Sequence, residues 1–203
     1  MKRLILAFLM GSVFLILPGQ APAAVITSTF GPGDNYNGGI SWSVIATQDI
    51  AMPFTVTGGS NYSFTSVELA LSAASGDLNI LLLSDSAGLP GGVIESMTVT
   101  DPSGITTATS AIFPTLVAGT TYWIATQYVS GGYVGGWNWN DQGLSGPLAF
   151  SGNSGASWFS NDGTFPAFRV NGDTAAVPEP GSLTLLGLGL LGLVAWRKRC
   201  VTA

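Results

Sequence analysis

Ser63-Phe64-Thr65-Ser66-Val67-Glu68-Leu69-Ala70-Leu71, followed after the break at Ser72–Asp77 by Leu78-Asn79-Ile80-Leu81-Leu82-Leu83-Ser84, is the stretch that decides the fold. From Val67 to Leu71 the large apolar side chains alternate with Glu68 and Ala70, the period of two expected of a strand with one buried face. Ile80 to Leu83 shows no alternation. It reads as a strand apolar on both faces, and therefore a central one. The break between them is built of Ser, Ala, Gly and Asp, which favour turns over ladders.

The same grammar extends in both directions. Runs rich in Val, Ile, Thr and aromatics are short and separated by Gly, Pro, Asn, Asp and Ser. Candidate strands are Ser41–Thr47, Pro53–Thr57, Ser63–Leu71, Leu78–Ser84, Val93–Val99, Thr109–Phe113, Thr121–Tyr128, Tyr133–Trp139 and Pro166–Asn171. Ser84–Gly92 is expected to form a well-defined loop. No part of this body has a helical stripe with caps. The expectation is an all-β, antiparallel two-sheet sandwich, jelly-roll-like, formed by residues 24–176.

Outside the body the chain changes character. Met1-Lys2-Arg3 is a basic start, Leu4 to Leu17 an apolar run, and Ala21-Pro22-Ala23 a small-residue cleavage pattern. Residues 1–23 therefore read as a secretory signal peptide cut after Ala23, with Ala21 and Ala23 as the residues the signal peptidase reads. An uncleaved N-terminal anchor is the competing reading.

The other end is tripartite. Val177-Pro178-Glu179-Pro180-Gly181 precedes an uncharged apolar run, Leu183 to Trp196, and then Arg197-Lys198-Arg199. Pro178 and Pro180 are unsuited to a helix interior, so a helix starts at or after them. At ~1.5 Å per residue, 183–196 spans about 21 Å, short of a hydrocarbon core of about 30 Å. Trp196 and the basic side chains, reaching into the headgroups, make it marginally long enough for a transmembrane helix. The basic cluster should remain cytoplasmic. Pro178, Glu179 and Pro180 are thereby left at the outer face. A plain anchor and a buried core helix are the competing readings.

This order of parts over 177–200 closely resembles the PEP-CTERM sorting signal of Gram-negative, exopolysaccharide-producing bacteria. The resemblance implies that Pro178, Glu179, Pro180, Arg197, Lys198 and Arg199 form the signal. It also implies an exosortase, a membrane-embedded enzyme, as the partner that reads it. The body has a resemblance of its own. Phe54-Thr55-Val56, Ser84-Asp85-Ser86-Ala87-Gly88-Leu89-Pro90-Gly91 and Ala118-Gly119-Thr120-Thr121-Tyr122-Trp123 are similar to segments of the choice-of-anchor bacterial surface domains, R type. That resemblance implies an extracellular β domain and supplies no activity.

Charge is unevenly placed. The body carries ten acidic residues and a single basic one, Arg169, leaving nine net negative charges. Phosphate recognition needs Lys and Arg, so nucleic acid is not an expected partner. The chain has no histidine, which excludes Ser-His-Asp and Cys-His catalysis and His-ligated zinc. The one cysteine, Cys200, follows the basic cluster, so the body contains no disulfide.

Three constellations remain. Trp137 and Trp139 are two apart and face one side of a strand, beside Asn138, Asn140, Asp141 and Gln142. Exposed, they would form a platform for stacking on sugar rings; buried, they are core. Asp34-Asn35-Tyr36-Asn37, Asn138-Trp139-Asn140-Asp141 and Asn161-Asp162-Gly163 offer oxygens suited to a structural Ca²⁺. None completes a twelve-residue calcium loop, and turn chemistry explains the same residues. No other cofactor is expected. Glu68 and Glu95 are the only glutamates of the body. Nothing in their spacing brings them together as glycoside hydrolysis requires.

The sequence thus predicts an exported, non-enzymatic protein of the cell surface or extracellular matrix. It would pass the secretion machinery and be anchored to the membrane at least transiently. Its role would be structural or adhesive, within the envelope or exopolysaccharide. A carbohydrate-binding module using Trp137 and Trp139 is the alternative, and a secreted hydrolase a more distant one.

Overall fold

The computed structural model describes residues 23–129 and 131–174. The sorting residues, Ala21 and the apolar run 183–196 lie outside the described residues. Among the described residues there is no helix, and so none long and apolar enough to cross a membrane.

Thirteen strands follow in chain order: β1 (Ala24–Ser28), β2 (Asn37–Val44), β3 (Asp49–Thr55), β4 (Tyr62–Leu71), β5 (Asp77–Ser86), β6 (Leu89–Thr100), β7 (Gly104–Thr109), β8 (Thr115–Leu116), β9 (Thr121–Tyr128), β10 (Gly135–Trp139), β11 (Ser145–Ser151), β12 (Phe159–Thr164) and β13 (Phe168–Thr174). They form two antiparallel sheets. One has the order β1-β13-β4-β10-β2, with β7 and β8 also paired to β4; the other runs β12-β11-β3-β9-β5-β6.

The core lies between the sheets. Phe64, Val67, Leu69, Leu71, Phe168 and Val170 from one sheet meet Ile50, Met52, Ile80, Leu82, Ile124 and Leu148 from the other. The alternation at Val67–Leu71 points Val67, Leu69 and Leu71 inward and leaves Glu68 on the outer face. β5 sits between β9 and β6. Ile80, Leu81, Leu82 and Leu83 are all buried there, as their unbroken apolar character requires.

Several expectations are corrected. The strand expected at Thr109–Phe113 is Gly104–Thr109, while Ser110–Phe113 is irregular. Glu95 explains the stop. Its buried carboxylate accepts hydrogen bonds from Ser110 Oγ (2.7 Å), Ala111 N–H (2.6 Å) and Ile112 N–H (3.3 Å), turning those backbone donors away from any ladder. The loop expected at Ser84–Gly92 is a two-residue hairpin turn between β5 and β6. Ala87 (φ 53°) and Gly88 (φ 80°) both take the left-handed conformation of a primed turn. Asp85 Oδ2 accepts from Gly88 N–H at 3.1 Å and helps hold it.

The strand expected at Tyr133–Trp139 starts only at Gly135. Tyr133 is instead a buried corner whose hydroxyl accepts from Gly136 N–H (2.9 Å) and donates to the Ser72 carbonyl (2.9 Å). Burial raises the pKa of its phenol above the ordinary value.

Strands β1, β8, β11 and β12 have no counterpart in the expectation. β12 reads Phe-Ser-Asn-Asp-Gly-Thr, which is turn composition. It is extended because it is an edge strand in continuous register with β11, from Ser145↔Thr164 to Phe150↔Phe159.

Candidate functional site

Trp137 and Trp139 lie on β10, at the side of the sandwich where β2 and β10 approach β11 and β12. Trp137 is fully buried, donates its indole N–H to the Ala167 carbonyl at 2.9 Å and packs edge-on against Phe168. A ring in that position cannot stack on a sugar, so the paired platform expected from sequence is corrected to core packing. Trp139 is half-buried and lies 5.5 Å, centroid to centroid, from Trp42. Its indole nitrogen is enclosed without a hydrogen-bond partner. The pair share a strand, but a register shift at Asn138/Trp139 interrupts their pairing with β2.

The amide and carboxylate oxygens considered for calcium are largely committed to local structure. Asn140 uses both ends of its side chain. Its Nδ2 donates to the Leu144 and Phe165 carbonyls, and its Oδ1 accepts from Gln142 and Leu144 N–H, each at 2.6–2.9 Å. Asn138 Oδ1 accepts from Ser72 Oγ at 3.2 Å. Asp34 is paired with Arg169. Among the described residues no three acidic or thiol side chains cluster as metal ligands would.

Glu68 and Glu95 stand on different sheets, on β4 and β6. Each is already engaged, Glu95 with the loop after β7 and Glu68 with Arg169. The body's one cation is held from two sides. Arg169 Nη1 donates to Asp34 Oδ1 at 2.8 Å, while Nε (2.9 Å) and Nη2 donate to Glu68 Oε2. Its guanidinium also lies 5.5 Å from the Phe30 ring centroid. The hydrogen bond to Asp34, and then Glu68, hold its pKa above the ordinary value against partial burial.

The outer face of the six-stranded sheet is the surface sequence reasoning missed. Ala149, Ala51, Ala125 and Leu81 lie side by side across β11, β3, β9 and β5. With Leu83 and Trp123 they form a second apolar cluster, separate from the core, with Trp158 and Leu89 packed at its margin. Trp123 donates its indole N–H to Asp85 Oδ1 at 2.9 Å. The next row is polar. Thr98 Oγ1 donates to Asn79 Oδ1 (2.9 Å), Asn79 Nδ2 to Gln127 Oε1 (3.4 Å), and Gln127 Nε2 to the Ser154 carbonyl (2.9 Å).

That last bond ties the β11–β12 loop, which carries the half-buried Trp158, onto the sheet. Asp49 continues the polar row beneath this loop. Its Oδ1 accepts from Tyr128 N–H at 3.0 Å, whereas its Oδ2 is buried without a partner. Desolvation pushes the Asp49 carboxyl above its ordinary value, against the hydrogen bond from Tyr128 N–H. A half-exposed indole beside a row of amide and hydroxyl groups has the mixed character of a glycan-contacting surface. The signal in sequence was the Asn79/Gln127/Thr98 set, visible only once the strands are in register.

The body's resemblance to choice-of-anchor domains gains no support: no curated protein and no solved structure matches the chain. Residues 176–199 match the family model of the PEP-CTERM protein-sorting motif. The motif begins two residues after β13 ends. It implies export, membrane anchoring for sorting to the cell surface, and an exosortase as the sorting partner.

Proposed function

We propose that this chain is an exported, non-catalytic protein of the cell surface or extracellular matrix, with the β-sandwich in a structural or adhesive role. One observation carries the reading: the sorting motif at 176–199 follows directly on the last strand of a sandwich. The tail then acts as an address and temporary anchor, read at Pro178-Glu179-Pro180, and the sandwich is the delivered cargo. The apolar start of the chain, cut after Ala23, would take it into the secretion machinery. The acidic surface supports solubility outside the cell. A C-terminal peptide map of the surface form tests the reading. It should end upstream of Arg197-Lys198-Arg199, and recovery of an intact basic end would overturn processing.

A second reading follows from the outer face of the six-stranded sheet. Trp158 and the Thr98–Asn79–Gln127 row suit a polysaccharide laid across the strands, so adhesion would be through glycan. Co-sedimentation with the producing organism's exopolysaccharide should then be lost in Trp158→Ala/Gln127→Ala, with unfolding still cooperative. Undiminished sedimentation of that variant would remove the reading. Repeating the assay with a chelator tests for a structural Ca²⁺ at the same time.

A further inference from the structure

Strand register places both connections to the membrane-directed segments at one end of the sandwich. Thr174, the last residue of β13, pairs with Tyr62, and Tyr62 pairs with Leu116 of β8. At about 4.8 Å per strand, the exit of the chain lies about 10 Å from Leu116. Ala24, where the chain enters, pairs with Gly172 at the same end.

Two connecting segments share that end, the loop Thr57–Asn61 and the loop Ser110–Thr120 on either side of the short β8, joined by a hydrogen bond from Ala118 N–H to Asn61 Oδ1 at 3.0 Å. Neither contains a charged residue, although the body carries ten acids. Instead the second loop exposes Ile112 (63 %), Phe113 (53 %) and Val117 (46 %).

The exposure is enforced. Glu95 grips Ala111 and Ile112 from inside, Ser110 Oγ accepts from Phe113 N–H at 2.9 Å, and Ser63 Oγ donates to the Phe113 carbonyl at 3.2 Å. Phe113 itself holds φ 48°, a left-handed conformation costly for an aromatic residue. A buried carboxylate and a strained backbone are thus used to present apolar side chains to the outside.

We propose that this end is a membrane-facing rim, with Ile112, Phe113 and Val117 seated in the lipid surface beside the anchored tail. The proposal rests on membrane anchoring by that tail. Two arguments select lipid. Only nine residue steps separate Thr174 from Leu183, where the apolar run begins, so the rim is held within about 30 Å of the bilayer. And this end is the one an acidic domain can bring to an anionic lipid surface with least repulsion. Asp49, Asp77 and Asp101 sit at the far end, where β5 starts and β6 finishes. Of the acids nearest the rim, Glu95 is buried beneath it, Asp173 is half-buried on β13, and Asp85, exposed in the β5–β6 hairpin, is hydrogen-bonded to Trp123 and Gly88. Apolar side chains on an uncharged rim need no specific partner groups to enter the headgroup boundary.

The test uses the full chain carrying Cys200→Ser, reconstituted into vesicles of phosphatidylethanolamine and phosphatidylglycerol. A fluorophore is attached at Val117→Cys or, as the far-end control, Ser75→Cys, and quenched by a lipid spin-labelled near its headgroup. The Val117→Cys label should be quenched several-fold more strongly than the control, and Ile112→Ser/Phe113→Ser should abolish the excess. Equal quenching in chains that float with the vesicles overturns the rim and leaves anchoring intact. Chains that fail to float overturn anchoring and the rim with it. Shielding of the Val117→Cys label in native membranes but not in pure lipid would assign the rim to a membrane protein and overturn the lipid surface.

Discussion

On the seven-stranded sheet, the face turned away from the core carries Ser66, Glu68, Arg169 and Asn171, tied together by hydrogen bonds and half-buried. On the six-stranded sheet the corresponding face carries Ala51, Ala125, Ala149, Leu81, Leu83 and Trp123, all buried. The first sheet is amphipathic and shows period-two patterning. The second is covered twice, by the other sheet within and by Trp158 and its loop outside, and its central strands read as unbroken apolar runs. A two-layer sandwich thus contains a third, partial layer made of loop. Surface on that side is offered by the loop over the sheet together with the polar row Thr98–Asn79–Gln127 beside it.

The largest expected effect tests whether the two apolar layers are energetically alike. Trp137→Ala, in the core, and Trp123→Ala, on the outer face, should each cost about 3–5 kcal/mol in urea unfolding, the usual cost of deleting a buried aromatic. A cost below about 1 kcal/mol for Trp123→Ala would make the outer layer a surface ornament and collapse the comparison. Arg169→Ala, on the polar face, should cost about 1–2 kcal/mol, because its pairs are partly solvated and the loss leaves Glu68 and Asp34 adjacent. Its cost should shrink at high salt while that of Trp123→Ala does not.

Ala87→Asn should stabilise by about 0.5–1 kcal/mol, since asparagine tolerates the left-handed conformation at the first position of the β5–β6 turn. The measurement is a melting curve, and destabilisation would argue against the primed turn. Asp49 gives the subtlest signature. Its folded pKa is raised above 3.8 by burial, so the folded state binds its proton more tightly than the unfolded chain. Stability from this residue therefore falls as pH rises through the window from 3.8 to the raised value, and the penalty is complete above it. Asp49→Asn should abolish that slope, so that its stability relative to the parent improves with rising pH. Parallel pH–stability curves would show that the loop over Asp49 leaves it solvated.

The sheets were legible in the sequence wherever side-chain period and burial agreed. Val67–Leu71 and Ile80–Leu83 declare their faces, and Thr121–Tyr128 its strand. What was illegible depends on partners distant in sequence. β12 is a strand only because β11 lies beside it. Ser110–Phe113 has good strand composition and is a loop only because Glu95, fifteen residues before Ser110, takes its donors. The same holds for the site. An i, i+2 tryptophan pair fixes a common direction but not whether that direction is core or solvent. For Trp137 the opposing sheet decides. The outer-face row of Asn79, Gln127 and Thr98 comes from three strands and has no local pattern at all.

The solitary, doubly paired Arg169 has a consequence for the protein's survival outside the cell. Between Ala24 and Val177 there is no lysine and no other arginine, so a trypsin-like protease has one bond to attack, Arg169–Val170. That bond lies inside β13, hydrogen-bonded to β1 on one side and β4 on the other, and its side chain is held by two carboxylates. The folded sandwich therefore offers such enzymes no usable cleavage site. Only an unfolded copy can be cut there, and it falls into two pieces of very unequal size.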